Sequence, residues 1–571
     1  MLNAQIATTQ EIPLSISKST DESLFFRLNT TTVLTGETLY YNLFCFHPKD
    51  NSSSQISKIA YVELIDSNKQ SVFKDKILLE HGKGYGDYFI PTTLKTGNYK
   101  LIAYTQWMLN KANTPFYETD INLINPFIPN ESGTKVIRDL NLETPQVPII
   151  ASASEKHSGL EKPIALEFEK KMYTHREQVN LKIKMPLQDA KIANYSVSIR
   201  KRDQLYAPKQ LNSAEFISKQ TEESFQNTPK TSVNFLPELR GEFISGKIVS
   251  TKGIQEVNNQ AVALSIPGKP FIFKLVKTNA KGEFKFILDQ LSDNENAVLQ
   301  IMGDNKENFT FVLDEAIKPN LSKLNFSSAF SLNSKDKKTI EERSVAAQLQ
   351  NAYYAQKKDT IQHSLNSEIF LGSIAKEYIL DDYTRFPSLK ETITEVLLEC
   401  HSKRKNNKSM IYLSNDKVNL DNFGNPLVLV DGLLVQDTNE LFEYTTTDIH
   451  KVSLINEGYV YGSKTFGGVI SFETKSGNFE SKDTGNYIKK INLQAPSYGK
   501  KYNSPDYINK KLDRIPDYRY QLLWIPDVTM ENDEKTITFF TSDISGEFEV
   551  SIEGFTDKGV PLSLKDFFEV N

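Results

Sequence analysis

Residues 426–477 limit the possible folds of this chain more than any other stretch. Pro426-Leu427-Val428-Leu429-Val430-Asp431-Gly432 is an unbroken leucine and valine run closed by Asp-Gly. Such a run predicts a strand buried on both faces. Asp431-Gly432 predicts a tight turn, because positive φ is cheap there. Thr447-Asp448-Ile449-His450-Lys451-Val452-Ser453-Leu454 follows, then Tyr461-Gly462-Ser463, then Phe466-Gly467-Gly468-Val469-Ile470-Ser471-Phe472-Glu473-Thr474-Lys475. The physical reading is three short strands separated by glycine turns, with Gly467-Gly468 introducing the last.

The four pieces stand in the order and near the spacing of a known pattern. It resembles the plug domain of TonB-dependent outer-membrane receptors, above all the starch-utilisation-type receptors of the Bacteroidota. Plug domains carry a helix ahead of the Pro-Leu-Val-Asp-Gly strand. Residues 388–400 supply one, with Ser388 as N-cap, Glu391 three residues on, and Leu389, Ile393, Val396 and Leu397 as its buried stripe. The resemblance therefore implies a plug domain over 386–477. Its implied barrel-contacting candidates are Pro426, Asp431, Gly432, Asp448, Ile449, Tyr461, Gly462, Ser463, Gly467, Gly468, Thr474 and Lys475.

Around this domain the chain reads as strand after strand. Its 571 residues imply several domains, and 34 Phe and 25 Tyr favour sheets. The expected fold class is mainly β and multidomain, several Ig/fibronectin-like β-sandwiches plus the small α+β plug domain. Residues 1–19 form an N-terminal segment, and Met1-Leu2-Asn3-Ala4-Gln5 look like the remnant of a secretory signal peptide. Residues 20–125 alternate cleanly, with Leu39, Tyr41 and Leu43 on one face. With Gly97-Asn98-Tyr99-Lys100-Leu101-Ile102-Ala103-Tyr104-Thr105 they resemble a macroglobulin domain. Residues 126–163, with several prolines, read as a linker. The pattern then recurs: Glu177 falls at Glu37, and Val179, Leu181 and Ile183 fall at Leu39, Tyr41 and Leu43. An internal repeat of one sandwich unit follows, so 164–235 is expected to be a second macroglobulin-like sandwich with a polar insertion near 203–234. Residues 236–318 resemble a carboxypeptidase-regulatory, transthyretin-like domain, as often precedes such plugs. Residues 319–385 are a helical connector whose helix, 337–357, presents Ile340, Val345, Leu349, Ala352 and Tyr353. Residues 478–571 begin with a polar stretch and end as a further macroglobulin-type sandwich.

No reactive chemistry emerges. The internal thioester of α2-macroglobulins needs a Cys-Gly-Glu-Gln setting, and Cys400 is followed by His401-Ser402-Lys403. His47, His81, His157, His175, His363, His401 and His450 are scattered, with no zinc, nucleophile-elbow or phosphate-loop motif. Cys45 lies in an apolar strand run and reads as a buried thiol. Cys400 is placed near a helix end. A disulfide between the two stays open as an alternative. A formal net charge of −5 gives no nucleic-acid surface, and no run of about 18 apolar residues is present.

The expectation is a non-enzymatic protein without metal or cofactor, nucleic-acid partner or small-molecule substrate. A 22-strand barrel needs well over about 200 residues, more than residues 478–571 provide. The resemblance therefore implies a periplasmic plug or accessory subunit that binds a separate outer-membrane β-barrel, the type 9 secretion translocon being one such pore. Membrane contact would run through that barrel alone, and no TonB box is evident. The alternatives are a macroglobulin-like protease trap, with 203–234 as bait, and a cell-surface adhesive scaffold.

Overall fold

The computed structural model describes residues 21–111, 115–128, 156–158, 164–185, 190–224, 234–253, 256–290, 292, 294–326, 332–356, 358–361, 375–405, 408–497, 499–509, 512 and 514–571. The expected N-terminal segment and most of the linker lie outside them. The chain divides into two units: a larger one of 15–239, 317–363 and 496–571, and a smaller one of 1–14, 240–316 and 364–495. The protein is mainly β, with β-sandwiches and one small α+β module.

The larger unit holds two sandwiches built to the same plan. In the first, Thr38–Phe46 lies between Ser23–Leu28 and Lys83–Phe89 in a three-stranded sheet. The facing sheet runs Thr32–Leu34, Tyr117–Ile124, Gly97–Tyr104, Ile59–Ile65, Ser71–Leu78, with only its first pair parallel. Leu39, Tyr41 and Leu43 are fully buried between the layers.

In the second sandwich, Gln178–Lys184 lies between Ala165–Phe168 and Glu534–Phe540. Its facing sheet runs Met172–Tyr173, Pro561–Val570, Gly546–Thr556, Ala193–Lys201, Gln521–Met530, again with only the first pair parallel. The two plans match strand for strand, and the repeat extends to single atoms. Glu37 accepts a hydrogen bond from the N–H of Leu34 at 2.9 Å, and Glu177 accepts one from the N–H of Thr174 at 2.8 Å. Gly36 and Arg176, just before each glutamate, both have positive φ.

This corrects the expected boundaries. Residues 164–235 and 478–571 do not form two separate sandwiches. Residues 164–201 contribute the first four strands of one sandwich, and 521–570 the last four. Either half alone would leave ladder groups unpaired and a core face open. Everything between Lys201 and Gln521 is an insertion between the fourth and fifth strands.

Both sandwiches share apolar contacts. The ring of Phe555 meets Phe25, Phe44 and Phe46 at centroid distances of 5.3, 5.4 and 4.5 Å. The polar insertion also has structure. Ser213–Ser224 is a helix (α1) whose Phe216 packs against Phe25, while the hydroxyl of Ser213 donates to the carbonyl of Leu562. Residues 225–233 lie outside the described residues.

The helix of the connector spans Asp336–Ala352 (α2). Its inner face differs from the expected one: Val345 is 54% exposed, and Arg343, Ser344, Ala346 and Ala347 are buried. Arg343, 1% exposed, donates to Glu37 at 2.9 and 2.5 Å, to Asp203 at 3.0 Å and to the carbonyl of Thr32 at 3.1 Å. The stripe rotates because this ion pair, not an aliphatic side chain, sets its centre.

In the smaller unit, Glu242–Ser250 lies between Glu283–Leu288 and Phe309–Leu313. The facing sheet runs Ile272–Lys277, Ala261–Ile266, Asn296–Met302, Ile488–Asn492. Its last strand comes from the stretch read as merely polar. The α+β module is thus inserted between two strands of this third sandwich. The module's sheet runs Lys376–Ile379, Ile449–Ile455, Val469–Thr474, Leu427–Val430, Leu433–Leu434. Lys376–Ile379 pairs with Ile449–Ile455, so the module opens before residue 386. Its helix, Leu389–Glu395 (α3), begins at the Ser388 cap, where the Ser388 side chain accepts from the N–H of Glu391. The helix is shorter than expected, and Cys400 opens the strand Cys400–Lys405. Cys45 and Cys400 are both free and buried.

Candidate functional site

The candidate site is the α+β module, built around the first of its motif strands. Leu427–Val430 is buried throughout and pairs parallel with Val469–Phe472, so it can be apolar on both faces. It turns back into Leu433–Leu434 through a two-residue loop. Asp431 and Gly432 have φ of 50° and 86°, as a type I′ hairpin requires. A Cβ on Gly432 would lie 2.2 Å from Cβ of Phe271, so the third sandwich also demands glycine there.

Asp431 is 3% exposed, and its carboxylate is saturated from within. It accepts from the N–H and hydroxyl of Thr474 at 2.7 and 2.6 Å and from the N–H of Phe479 at 3.1 Å. One side chain therefore ties the end of the first motif strand to the end of the last.

The other motif residues divide between inside and outside. Ile449, Gly467, Gly468 and Thr474 are buried. Cβ atoms on Gly467 and Gly468 would lie 2.4 Å from the carbonyls of Gly424 and Ile455. Tyr461 donates to the carbonyl of Phe273 at 2.6 Å, and burial pushes its phenol pKa well up. Gly462, with φ of 58°, crosses over the carbonyl of Leu275. Tyr461 and Gly462 thus hold the module on its own sandwich. Pro426 is half-buried. Only Asp448, Ser463 and Lys475 are exposed; Lys475 lies 3.7 Å from Asp381.

Most motif residues are therefore inward-facing fold determinants, which corrects their assignment as barrel contacts. Their side chains are occupied by their own chain, so a foreign wall can reach only the exposed three and the rims of the half-buried ones.

The outward surface is carried by residues the motif does not name. Leu398, after α3, is 74% exposed, and Ile379, Tyr383, Val418 and Val460 are also exposed. Val418 lies on a loop and Val460 on the short strand Tyr459–Tyr461, and the segments leading to them are neighbours: the Asn415 amide donates to the carbonyl of Asn456 at 2.8 Å, and Gly458 packs on the ring of Phe423. Cys400–Lys405 and Lys408–Leu413 form a basic hairpin. Its Lys403 pairs with Asp421 at 3.4 Å and its Lys408 with Asp437. Nothing in the sequence distinguishes these residues from core residues without the fold: Leu398 follows Val396-Leu397, Ile379 stands between Tyr378 and Leu380, and Val460 stands between Tyr459 and Tyr461.

The Cys400-His401 neighbours do not make a reactive pair. Burial and then Glu399 push the Cys400 thiol up to about 12. The His401 ring stacks on Tyr412, its pKa lowered by burial and then by Lys403. Among the described residues no group of three or more His, Cys, Asp and Glu converges as a metal site, and no helix is long and apolar enough to cross a membrane.

No family model matches the chain. No curated protein matches it either. Solved structures that it resembles include Salmonella alpha-2-macroglobulin reacted with methylamine (TM-score 0.24, 10% identity, 100% of this chain and 40% of that one). Escherichia coli alpha-2-macroglobulin activated by porcine elastase gives a TM-score of 0.24 at 10% identity, covering 96% of this chain and 44% of that one. The native conformation of the E. coli protein gives 0.24 at 9%, covering 97% and 40%. The chain thus spans well under half the length of these proteins.

Proposed function

We propose that this protein is a non-enzymatic plug or accessory subunit that docks on a separate outer-membrane β-barrel from the periplasmic side, the type 9 secretion translocon being one such pore. The observation that carries this reading is the placement of the α+β module. It is inserted as a unit into a β-sandwich, its motif residues fasten it there, and Leu398, Val418 and Val460 stay exposed on its surface. Exposed apolar side chains on a rigid carrier are what a docking element needs. The test is mild detergent extraction of the protein from its own membranes after photo-crosslinking from position 398 or 460. A crosslink to an outer-membrane barrel is expected. Recovery of the uncrosslinked chain alone, or labelling of the chain on intact cells as a surface adhesin, overturns the reading.

The protease-trap alternative finds little support in the expected bait. The described part of 203–234 includes α1, whose Phe216 is buried in a sandwich core rather than offered for cleavage.

A further inference from the structure

A cavity of about 530 Å³ opens within the larger unit. Its volume lies in the range of small-molecule sites, about 300–1,000 Å³. Its walls come from the strand Thr38–Phe46, the inner face of α2, residues 500–503 and residues 518–521.

Two charged side chains on this wall form no close ion pair among the described residues, although the charges of Glu37 and Asp203 reach Arg200 and that of Lys500 reaches Asp359. Arg200 stands beside Arg343, which engages both nearby acids, Glu37 and Asp203. Among the described residues Arg200 forms no ion pair, and its buried Nη2 has no acceptor. Asp359 is the second. It accepts the N–H of Asn503 at 2.7 Å, but no cation pairs with it among the described residues; Lys500 is paired with Asp87 instead. Around the acidic groups stand the rings of Tyr40 and Tyr502, edge to face at 4.9 Å, and the exposed Tyr354.

An unpaired charge withdrawn from bulk water is expensive unless something compensates it. Arg200 and Asp359 do not pair with each other, so a molecule that compensates both must carry opposite charges at its two ends. A guanidinium is suited to a carboxylate, and a carboxylate among aromatic rings is suited to an ammonium. We propose that this cavity binds a zwitterionic, amino-acid-like molecule of dipeptide size, with its carboxylate on Arg200 and its ammonium by Asp359 among Tyr40, Tyr354 and Tyr502.

The test is equilibrium dialysis of the full chain against an equimolar mixture of dipeptides, read by mass spectrometry. Parallel arms use the same mixture N-acetylated or C-amidated. Unblocked dipeptides are expected to be retained at least about tenfold over either blocked set, since each blocking group removes one charge-assisted contact. Arg200→Gln is expected to abolish the discrimination against the amides. Asp359→Asn, which keeps a side-chain oxygen to accept the N–H of Asn503, is expected to abolish the discrimination against the acetylated set. No retention in any arm, equal retention in all three, or unchanged discrimination in Asp359→Asn overturns the proposal.

Discussion

Replacing Asp431 separates a fold role from a partner-binding role. Its carboxylate accepts three hydrogen bonds, two from Thr474 and one from Phe479, in a site closed to solvent. Asp431→Ala strands two backbone N–H groups. Hydrogen bonds to a charged group contribute about 1.5–3 kcal/mol each, and a buried orphan donor costs about 1–3 kcal/mol. The three are not additive, since one water can enter the vacated space, so the expected loss is about 3 kcal/mol. Trp107 and Trp524 both lie in the larger unit, so tryptophan fluorescence is blind to this change. Hydrogen exchange read on peptides covering 427–434 and 469–474 is the suitable assay. A loss of about 3 kcal/mol predicts exchange about 100-fold faster there, with the tryptophan-reported unfolding of the larger unit unmoved. Asp431→Asn keeps a residue that tolerates positive φ and retains one good acceptor, so it should fall between. Wild-type protection in the alanine variant would refute the reasoning and return Asp431 to the list of partner contacts.

Further outcomes follow from the same packing. Phe555→Ala removes a ring shared by both sandwiches and should destabilise the larger unit by about 3–5 kcal/mol, seen as a lower denaturant midpoint by tryptophan fluorescence. Neither thiol should react with an aromatic disulfide reagent in the native state, because burial raises both thiol pKa values; both should react after unfolding. Burial pushes the Glu37 carboxyl pKa up, but the charges of Arg343 and Arg200 and the hydrogen bonds from Arg343 and Leu34 outweigh it and hold it below the usual 4.5. Its stabilising contribution is therefore full above that value and is lost as pH falls through the lower folded pKa. Glu37→Gln should flatten this acid limb of larger-unit stability, measured by fluorescence unfolding below pH 5.

The sequence made local features legible and left partners obscure. Leu39, Tyr41 and Leu43 announce their buried face because alternation records burial directly, and Glu177 repeats Glu37 because the same turn needs the same acceptor. The Asp431-Gly432 turn and the buried Leu427–Val430 strand are equally plain, since both depend on a few contiguous residues. Alternation does not say which strand lies alongside. Gln521–Met530 reads as the start of a new sandwich, although its neighbour is Ala193–Lys201. Ile488–Asn492 and Lys376–Ile379 look polar because each is a sheet edge. Arg343 reads as a solvated helix charge, because its acids stand 306 and 140 residues away. The motif residues carry the opposite lesson: their pattern reflects what the module needs to hold itself together, so it marks the module without marking its outer surface.

The split second sandwich bears on how the chain is made. A ribosome adding about 5–20 residues per second finishes Ala193–Lys201 some tens of seconds before Pro561–Val570. During that wait the half-built sheet presents raw edges, while the third sandwich must itself stay unfinished until the α+β module has emerged. Assembly must then proceed from the innermost piece outward, and nascent chains stalled before residue 521 should be the ones that attract chaperones.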